Sequence, residues 1–595
     1  MPNLLRCDIL LTHEGDGLIM PTNELGTRWK TPDSSEERTA GVLKLKEQTK
    51  DYYDLSQPMI EYLYNKGMRT LEDVQDLIDI SVDLERSPFD LKDIEKAAEI
   101  ISNHIDNDSH IIVFGDYDTD GITGTTIVVR ALRHLQANAE YFVNHRFKHG
   151  FGISKLAVED MIKEKGVPDL IITVDNGIVG YEGIQYAVEQ GIEVVVTDHH
   201  IAEEKLPNAS AVVNPVRLDD TSEFKQISGA TVAYKVMLAL YHHRQLPFGY
   251  IYDMRDLVAL GTVGDVMPII DENRWFVTQG LDLIGREKRP QFGALRRAKQ
   301  GDKPFDLDAD LFGFLLSPMM NAPSRLTGSP NICIDFFLTD SIPQMEMMAQ
   351  RIVEINEERK TVTKEQMEKA EALVDVDDGN VIVAYHPEFH QGIIGLIAGR
   401  MTNKYNKPAV IFAKGPDGIY KGSSRSIETY NIKEALDRVS EHIVGHGGHA
   451  QAAGLSVREE DFVAFREALI ADAEQLTAED MSPVVHVDAL LNPEDVTQQL
   501  VREINLFSPY GEGFRKPSFG LNTMVVSKVQ YMTEGLHAKV IGNNGLTVLL
   551  FSGGDLVRSF GDFSVVHAVG SPSLNNFRGR TSVQFIAENN QLIGR

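Results

Sequence analysis

Three aspartates at alternate positions could hold a metal ion. Asp116, Asp118 and Asp120 come directly after a run of β-forming residues, 111–114, and are followed by Gly121. Carboxylates at the carboxyl end of a buried strand are the ligands that hard divalent cations require. The spacing therefore predicts a cation site, with an acidic solvated turn as the alternative.

The same aspartates match the first positions of a calcium-binding EF-hand loop. That loop requires a bidentate Glu at its twelfth position, which here is Ile127, and it follows a helix. Because the element before Asp116 is predicted to be a strand, we exclude the EF-hand.

Polar side chains also follow the next two predicted strands. Asp175 begins an Asp-Asn-Gly sequence, which by itself is an ordinary turn. Asp198, His199 and His200 follow the later strand, and an imidazole beside a carboxylate favours Mn, Mg, Zn or Fe over Ca.

An isolated carboxylate, Asp265, lies within a small and apolar stretch, residues 261–268. Its burial is costly unless a cation or hydrogen-bond donors compensate it. Together the four elements supply enough Asp and His for a two-metal centre, which activates water and clamps a phosphoryl group for in-line displacement.

The surrounding pattern predicts an α/β domain. Apolar strands alternate with amphipathic helices, which indicates a mostly parallel sheet covered on both faces, with ligands bound beyond the carboxyl ends of the strands. The predicted strands are residues 111–114, 141–143, 170–174 and 194–196; the predicted helices include 122–136 and 154–165.

The rest of the chain divides by pattern. One long helix is predicted at 343–374, followed by an α/β unit with strands near 381–385 and 409–413 and a helix over 393–404. Short alternating strands after residue 481 are compatible with a small β-barrel. The expected divisions are an irregular N-terminal arm (1–50), a catalytic domain (51–340), a connecting helix (341–375), a second α/β domain (376–480) and the barrel (481–595).

Bulk composition narrows the class of protein. The formal net charge is -29, from 58 basic and 87 acidic residues, which argues against a protein that coats nucleic acid but leaves a local cationic cleft possible. Two cysteines, Cys7 and Cys333, provide neither a disulfide framework nor a thiolate zinc site. No apolar run of membrane-spanning length and no signal-peptide pattern occur, so the expected location is the cytoplasm, with no membrane partner.

Five motifs follow one another in the order found in the DHH phosphoesterase superfamily with its DHHA1 domain, which this chain therefore resembles. They lie at 116–121, 175–177, 198–200, 261–268 and 447–454, and the last reads Gly-Gly-His-Ala-Gln-Ala-Ala-Gly. Within this superfamily, the chain is most similar to the RecJ-like single-strand-specific exonucleases. The resemblance runs from about residue 88 to the end and includes the stretches 144–146, 321–325, 422–426 and 508–513. It implies that the C-terminal β-barrel is an OB-fold.

The resemblance implies a site for two Mn²⁺ or Mg²⁺ ions. Asp175 would bridge them, Asp116 would support the cluster from behind, and His200 would contact the scissile phosphate or donate a proton. Phe114 stands where some relatives have His, which removes one potential ligand. The implied ligands are Asp118, Asp120, Asp175, His199 and Asp265.

Further residues are implied to bind substrate. Planar guanidinium groups can hold phosphate oxygens bidentately, and by resemblance Arg146, Ser423 and Arg425 would grip the terminal 5′ phosphate. The full set of candidates is Arg146, Arg325, Ser423, Arg425, Gly447, Gly448 and His449.

Two other features have alternative interpretations. The basic segment 286–303 could line a strand path or form a solvated helix face. Four aromatic residues interleaved with Arg515 and Lys516 could stack on bases or belong to a core: Phe507, Tyr510, Phe514 and Phe519.

We therefore predict a metal-dependent 5′ to 3′ exonuclease that degrades single-stranded DNA to mononucleotides in DNA repair and recombination. Candidate partners are single-stranded DNA, a single-strand-binding protein and a helicase. Spacing alone supports metal-dependent phosphodiester hydrolysis; direction and DNA preference follow from the resemblance. The alternatives are a DHH phosphodiesterase of short oligoribonucleotides or cyclic dinucleotides and a noncatalytic Cdc45-like replication scaffold.

Overall fold

The structure is a computed structural model that describes residues 12–13, 18–20, 28–79, 84–374, 379–416, 418–577 and 579–594. The chain forms two compact units. One comprises Met1–Val82, Ser482–Tyr510 and Phe514–Arg595; the other comprises Asp83–Met481 and Gly511–Gly513.

The N-terminal part of the first unit contains more regular structure than we predicted. Residues 36–49, expected to be irregular, form helix α1: the Ser35 side chain caps it by accepting from the Arg38 backbone N–H, and Val42 and Leu45 are buried. The rest of the predicted arm lies partly outside the described residues. The elements are strands β1 (Thr12–His13), β2 (Leu18–Met20) and β3 (Arg28–Lys30) and helices α1 (Glu36–Thr49), α2 (Gln57–Asn65) and α3 (Leu71–Ile78).

The second unit begins with the predicted α/β domain. Its elements are α4 (Ile94–Asp106), β4 (Ile111–Gly115), α5 (Thr119–His134), β5 (Ala139–Val143), α6 (Lys155–Lys165), β6 (Leu170–Val174), α7 (Tyr181–Glu189), β7 (Glu193–Thr197), β8 (Ala211–Val213), α8 (Gly229–His243), α9 (Gly249–Tyr252), α10 (Arg255–Gly264), α11 (Asp271–Gly285), α12 (Pro290–Gln300), α13 (Ser317–Thr327) and α14 (Asn331–Leu338).

The sheet of this domain is parallel throughout, in the order β5-β4-β6-β7-β8. Every residue of β4 and β6 is buried, as expected for strands covered on both faces. This confirms the predicted sheet. Because the strands are parallel, the carboxyl ends of β4, β6 and β7 lie at one edge, and Asp116, Asp175 and Asp198 follow them directly.

The predicted long helix is confirmed as α15 (Ile342–Leu373). A second α/β layer follows, with sheet order β12-β13-β11-β10-β9, in which the β9–β10 pair is parallel and the other pairs are antiparallel. Its elements are β9 (Ile382–Tyr385), α16 (Ile394–Tyr405), β10 (Ala409–Lys414), β11 (Ile419–Arg425), α17 (Ile432–Arg438), β12 (Gly445–His449), β13 (Ala452–Arg458) and α18 (Phe462–Ala473).

The C-terminal part of the first unit contains the predicted barrel. Strands pair in the order β16-β17-β18-β20-β19, and β19 returns to β16, which closes the ring and confirms the OB-fold. The elements are β14 (Val484–His486), β15 (Ala489–Leu491), α19 (Gln498–Leu506), β16 (Phe519–Met532), β17 (His537–Gly542), β18 (Thr547–Leu550), α20 (Gly554–Ser559), β19 (Val565–Phe577) and β20 (Arg580–Gly594).

The structure decides between the alternatives left open for two segments. The core of the first unit contains the buried rings of Phe507, Phe514 and Phe519. The half-buried Tyr510 stacks on Phe514, with ring centroids 5.4 Å apart. Base stacking is therefore the wrong interpretation for this cluster.

The basic side chains around α12 are largely ion-paired, which supports a helix face rather than a strand path. The pairs are Arg286–Asp282, Arg289–Asp256, Arg296–Glu287, Arg297–Glu346 and Lys299–Glu357.

The core beneath β11 depends on Phe412, which is fully buried and packs edge-on against Phe462 and Phe465. Phe412→Ala should lower the free energy of unfolding of this unit by about 3–5 kcal/mol, because it removes an aromatic ring from a packed core. Val463→Ala, at a position on α18 that is 64% exposed, is the control and should change it little. Urea denaturation measures both; equal effects would contradict this assignment of the core.

Candidate metal centre

Asp118 is the N-cap residue of α5. The helix begins at Thr119, three residues before the predicted start at residue 122. Asp118 Oδ1 accepts hydrogen bonds from the backbone N–H groups of Asp120 (3.1 Å) and Gly121 (3.2 Å). This N-cap allows the helix to begin at Thr119, so Asp120 lies in the first turn. The other Asp118 oxygen is available to a ligand.

Asp120, His199 and Asp265 converge in one group. His199 Nε2 lies 3.7 Å from Asp120 Oδ2 and 3.5 Å from Asp265 Oδ2. Asp120 is held from behind by the start of α8, where the N–H groups of Gly229 (2.6 Å) and Ala230 (3.0 Å) donate to its two oxygens. Each member of the group presents one atom to a common point, as a cation requires.

Asp116, Asp118 and Asp175 form a second group. Asp175 also joins the first, because its Oδ1 lies 3.0 Å from His199 Nε2. This central position fits the bridging role that the resemblance implies. Asp116, expected behind the ligands, contributes an oxygen to this group.

The backbone around Asp175 leaves no room for larger residues. Asp175 itself has φ +61°, a left-handed conformation that is uncommon for residues other than glycine. A Cβ at Gly229 would lie 2.7 Å from Asp175 Oδ1, and one at Gly261 would lie 2.5 Å from Asp120 Oδ1. The two glycines therefore let α8 and α10 approach the carboxylates.

The electrostatics of the cluster are unfavourable without a cation. Burial and then the repulsion of neighbouring carboxylates raise the pKa of Asp116 and Asp175 well above the usual range. The same causes raise the pKa of Asp265 to about 9, and burial lowers the pKa of His199 although Asp120 opposes it.

Three buried atoms of the cluster make no well-oriented hydrogen bond in the described part of the chain, although two of them lie 3.0 Å apart: Asp116 Oδ1, Asp175 Oδ1 and His199 Nε2. Carboxylate oxygens and a neutral imidazole nitrogen are the donor set of Mn²⁺ and Mg²⁺ sites. The residues therefore fit one or two divalent cations.

Asp198 orients the histidines. Its Oδ1 accepts from the N–H groups of His199 (2.7 Å) and His200 (3.2 Å) and lies 2.7 Å from His200 Nδ1. Burial opposes protonation of His200, but the hydrogen bond to Asp198 and the nearby acids raise its pKa to about 9. The contact with Asp198 holds Nδ1 of His200, so its Nε2 is directed away from Asp198.

Other residues that we did not single out support the site. Asn321 Oδ1 accepts from the Thr119 N–H at 2.9 Å, which ties α13 to the start of α5. Phe151, 46% exposed between two glycines with positive φ, places its ring 5.0 Å from His200. In the sequence, only their position within or near the motif stretches 321–325 and 144–146 indicated that Asn321 and Phe151 belong to the site. Phe114 packs against Phe142, with ring centroids 5.4 Å apart, and offers no ligand.

Three predicted arginines come together beside the metal centre. Arg146 lies over the Tyr117 ring at 4.7 Å, and Arg425 Nη1 donates to the Ser424 carbonyl at 2.7 Å. Burial, then the positive charge of Arg146, lowers the pKa of both Arg325, to about 10, and Arg425. Among the described residues, none of the three has a carboxylate partner.

The sheet register places the remaining candidates in rows on the second α/β layer. One row across strands β11, β13 and β12 consists of Ser423, Gly454 and Gly447. The other row consists of Arg425, Ala452 and His449. Gly447 and His449 are thus about 10 Å from Ser423 and Arg425, two strand spacings away. Gly447, Gly448 and His449 are exposed on edge strand β12, and no contact joins them to the metal centre in the described structure.

Asp175→Asn should separate metal binding from folding. Because its raised pKa means that the Asp175 charge costs stability above its ordinary pKa, the substitution should stabilise the EDTA-treated protein by about 1 kcal/mol. At an Mn²⁺ concentration of about 100 times the Kd for Mn²⁺, the free energy of unfolding of the wild type should rise by about 2.7 kcal/mol. In the variant, most of this rise should be lost. Thermal unfolding with and without Mn²⁺ measures both effects.

Asp302→Asn, at an exposed acid, is the matched control and should keep the full Mn²⁺ response. An unchanged Mn²⁺ response in Asp175→Asn would exclude Asp175 as a ligand.

Family profiles match three parts of the chain. The DHH family, N-terminal domain, matches residues 110–262, the DHHA1 domain matches 378–475 and the RecJ OB domain matches 487–589. No helix in the described part of the chain is long and apolar enough to cross a membrane.

Individual relatives match most of the chain. The single-stranded-DNA-specific exonuclease RecJ of Escherichia coli is 32% identical over 89% of this chain and 95% of its own length. That of Bacillus subtilis is 32% identical over 84% of this chain, which spans 63% of the relative. The structure of Thermus thermophilus RecJ with Mn²⁺ matches this chain with a TM-score of 0.81 and 27% identity, over 95% of this chain and 79% of that one. The structure with Mg²⁺ matches with a TM-score of 0.75 and 27% identity, over 95% of this chain and 78% of that one. The chain therefore belongs to the RecJ family of single-stranded-DNA-specific exonucleases.

Proposed function

We propose that this protein is a metal-dependent exonuclease that degrades single-stranded DNA from the 5′ end to mononucleotides, in DNA repair and recombination. The observation that carries the proposal is the convergence of two acidic groups that share the Asp175–His199 contact of 3.0 Å. Membership of the RecJ family supplies the substrate class. The catalytic domain, which we predicted over 51–340, begins near Asp83 in this proposal, because residues up to Val82 belong to the unit that contains the barrel. The connecting helix, a DHHA1 domain and the OB-fold follow it.

Two divalent cations, Mn²⁺ or Mg²⁺, complete the proposed site. One would be held by Asp120, His199 and Asp265, the other by Asp118 with Asp116, and Asp175 would serve both. When bound, such ions supply a nucleophile at neutral pH and stabilise the charge that develops on the phosphate.

His200 acts beside the scissile phosphate in this proposal. Burial lowers its pKa, but the hydrogen bond between its Nδ1 and Asp198 outweighs burial and favours the protonated ring. Its Nε2–H is therefore suited to donate to a phosphate oxygen or to the leaving 3′ oxygen. Asp198 acts as a positioning residue that fixes the orientation of this ring.

The arginines would bind the strand. Arg146, Ser423 and Arg425 would grip the terminal 5′ phosphate, which sets the direction of digestion, and Arg325 would contact a phosphate next to the metal centre. Their lack of carboxylate partners in the described structure supports an external anion as the partner. The exposed backbone of Gly447 and Gly448, with His449, would line the path of the strand.

The cellular setting is part of the proposal. We infer a cytoplasmic enzyme that acts on single strands produced by a helicase and covered by a single-strand-binding protein. An oligoribonucleotide or cyclic-dinucleotide phosphodiesterase is disfavoured by the RecJ OB domain, and a Cdc45-like scaffold by the complete set of candidate ligands.

Asp118→Ala should reduce hydrolysis of single-stranded DNA about a thousandfold, because loss of a metal ligand removes several kcal/mol of transition-state stabilisation. The assay uses 5′-labelled and 3′-labelled single strands and duplex with Mn²⁺, Mg²⁺ or EDTA. We expect mononucleotide release from the 5′ end of single strands, and none in EDTA.

Asp302→Asn is the control and should retain full activity. Hydrolysis that persists in EDTA or in Asp118→Ala would overturn the metal-dependent mechanism. Faster release from 3′ ends would overturn the proposed direction.

Phe151→Ala should raise KM for single-stranded DNA roughly tenfold, because an exposed aromatic ring beside His200 is suited to stack on a base, a contact of about 1–3 kcal/mol. Phe151→Tyr should preserve KM, and Phe147→Ala, at a ring with similar exposure in the same loop, serves as the comparison. Steady-state kinetics on a single-stranded oligonucleotide measure the effect. An unchanged KM in Phe151→Ala would rule out stacking.

A further inference from the structure

Helix α15 carries a buried polar stripe. Asn356, Thr363 and Gln366 are 2%, 0% and 8% exposed, and with Arg359 they are spaced three, four and three residues apart, which places them on one helix face. A face that packs inward is ordinarily apolar. The stripe therefore needs polar partners.

Gln366 finds its partners in the segment before α16. Its Nε2 donates to the Glu388 carbonyl at 3.2 Å, and its Oε1 accepts from the His390 N–H at 3.0 Å. Gln366 follows Arg359 by seven residues, two helical turns. The stripe therefore faces the second α/β layer.

Arg359 has a neutral acceptor but no acidic partner. Its Nε and Nη2 both donate to Asn356 Oδ1, at 3.1 and 3.0 Å, so three of its five N–H groups remain available. No carboxylate oxygen in the described part of the chain lies within ion-pair distance of it. The adjacent acid Glu357 instead pairs with Lys299 and Lys360.

This pattern differs from that of three other half-buried or buried arginines in the same unit. Arg217 pairs with Asp93 and Asp219, Arg255 with Glu85 and Arg289 with Asp256. Each of these guanidinium groups has a structural counterion. Arg359 has none among the described residues, so its charge is not explained by the fold.

The charges that act on Arg359 are those of the cation Arg400 and, to a smaller extent, the anion Glu357. Burial, then the neighbouring charge of Arg400 on α16, lowers the pKa of Arg359, and Arg359 in turn helps to lower the pKa of Arg325. Arg400 is exposed and follows Gly399, where a Cβ would lie 3.8 Å from Arg425 Cγ. A continuous group of like charges therefore extends from Arg425 and Arg325 to Arg359 and Arg400.

We propose that Arg359 and Arg400 form an additional anion subsite that binds a backbone phosphodiester of the single strand, separate from the subsite of the terminal 5′ phosphate. This inference rests on the proposed function. Asn356 orients the guanidinium of Arg359, which leaves the fork of its remaining N–H groups for two phosphate oxygens. Arg400 adds charge from the opposite helix.

A structural role for Arg359 leads to the opposite expectation for stability. A residue that stabilises the fold weakens it when removed, whereas removal of one of several mutually repelling cations relieves repulsion. Arg359→Gln should therefore leave the melting temperature unchanged or raise it.

The test is steady-state hydrolysis by the full chain with Mn²⁺, using a 5′-phosphorylated 20-nucleotide single strand, with the 5′-phosphorylated dinucleotide as a competitive inhibitor. The dinucleotide carries the terminal and scissile phosphates alone. Arg359→Gln should raise KM for the long strand roughly tenfold at unchanged kcat, since the strand loses a charge-assisted hydrogen bond to one phosphate. It should also reduce the slope of log KM against log salt concentration by about 0.7.

The inhibition constant of the dinucleotide should stay the same in Arg359→Gln. A general structural defect would instead weaken the binding of both the long strand and the dinucleotide. Arg351→Gln, on the same helix at an exposed residue paired with Glu354, is the matched control and should change neither quantity. Arg400→Gln, at an exposed position, should raise KM for the long strand alone, although less than Arg359→Gln.

An unchanged KM for the long strand in Arg359→Gln, or an equal loss of affinity for strand and dinucleotide, would overturn the subsite. Failure of the wild type to hydrolyse any single strand with Mn²⁺ would overturn the proposed function itself, so the two failures are distinguishable.

Discussion

The burial of several carboxylates within a few ångströms of one another is the constraint on which the catalytic domain depends. Asp116, Asp120 and Asp175 are almost fully buried, and burial, followed by the repulsion of neighbouring carboxylates such as Asp118, raises their pKa values. The fold compensates part of this cost: the start of α8 donates two N–H groups to Asp120, and Gly229 lets that helix approach. The remaining charge requires cations, which is why this edge of the sheet is suited to metal-dependent chemistry.

The arginines are the complement of this acidic site. Arg146, Arg325, Arg359 and Arg425 have no carboxylate partners in the described structure although acids outnumber bases in the chain. A chain with a net charge of -29 can therefore bind a polyanion, because binding depends on the local field and not on the total. Cations at the acidic groups and guanidinium groups beside them would together neutralise successive phosphates of one strand.

One prediction from the sequence was wrong in detail, and two alternatives stayed open, for identifiable reasons. The start of α5 was placed at residue 122, because a side-chain cap by Asp118 is not visible in apolar periodicity. The aromatic cluster around Phe514 was open to a binding role, yet its rings fill a core whose other half comes from distant segments such as α2. Likewise, the charges around α12 gave no sign of their partners, because Glu346 and Glu357 lie about fifty residues further along the chain.

The fold class, the strand ends that carry acidic residues and the family could all be assigned from the amino-acid sequence alone. These depend on local periodicity and on motifs that short segments encode completely. Tertiary structure decided which groups converge: Asp265 reaches the cluster because α10 packs beside α5, and Asp175 lies between the two acidic groups. It also showed that Asp198 orients His200 and that Arg359 has no acidic partner among the described residues. The absence of a counterion is a property of space around a side chain, which no sequence spacing records.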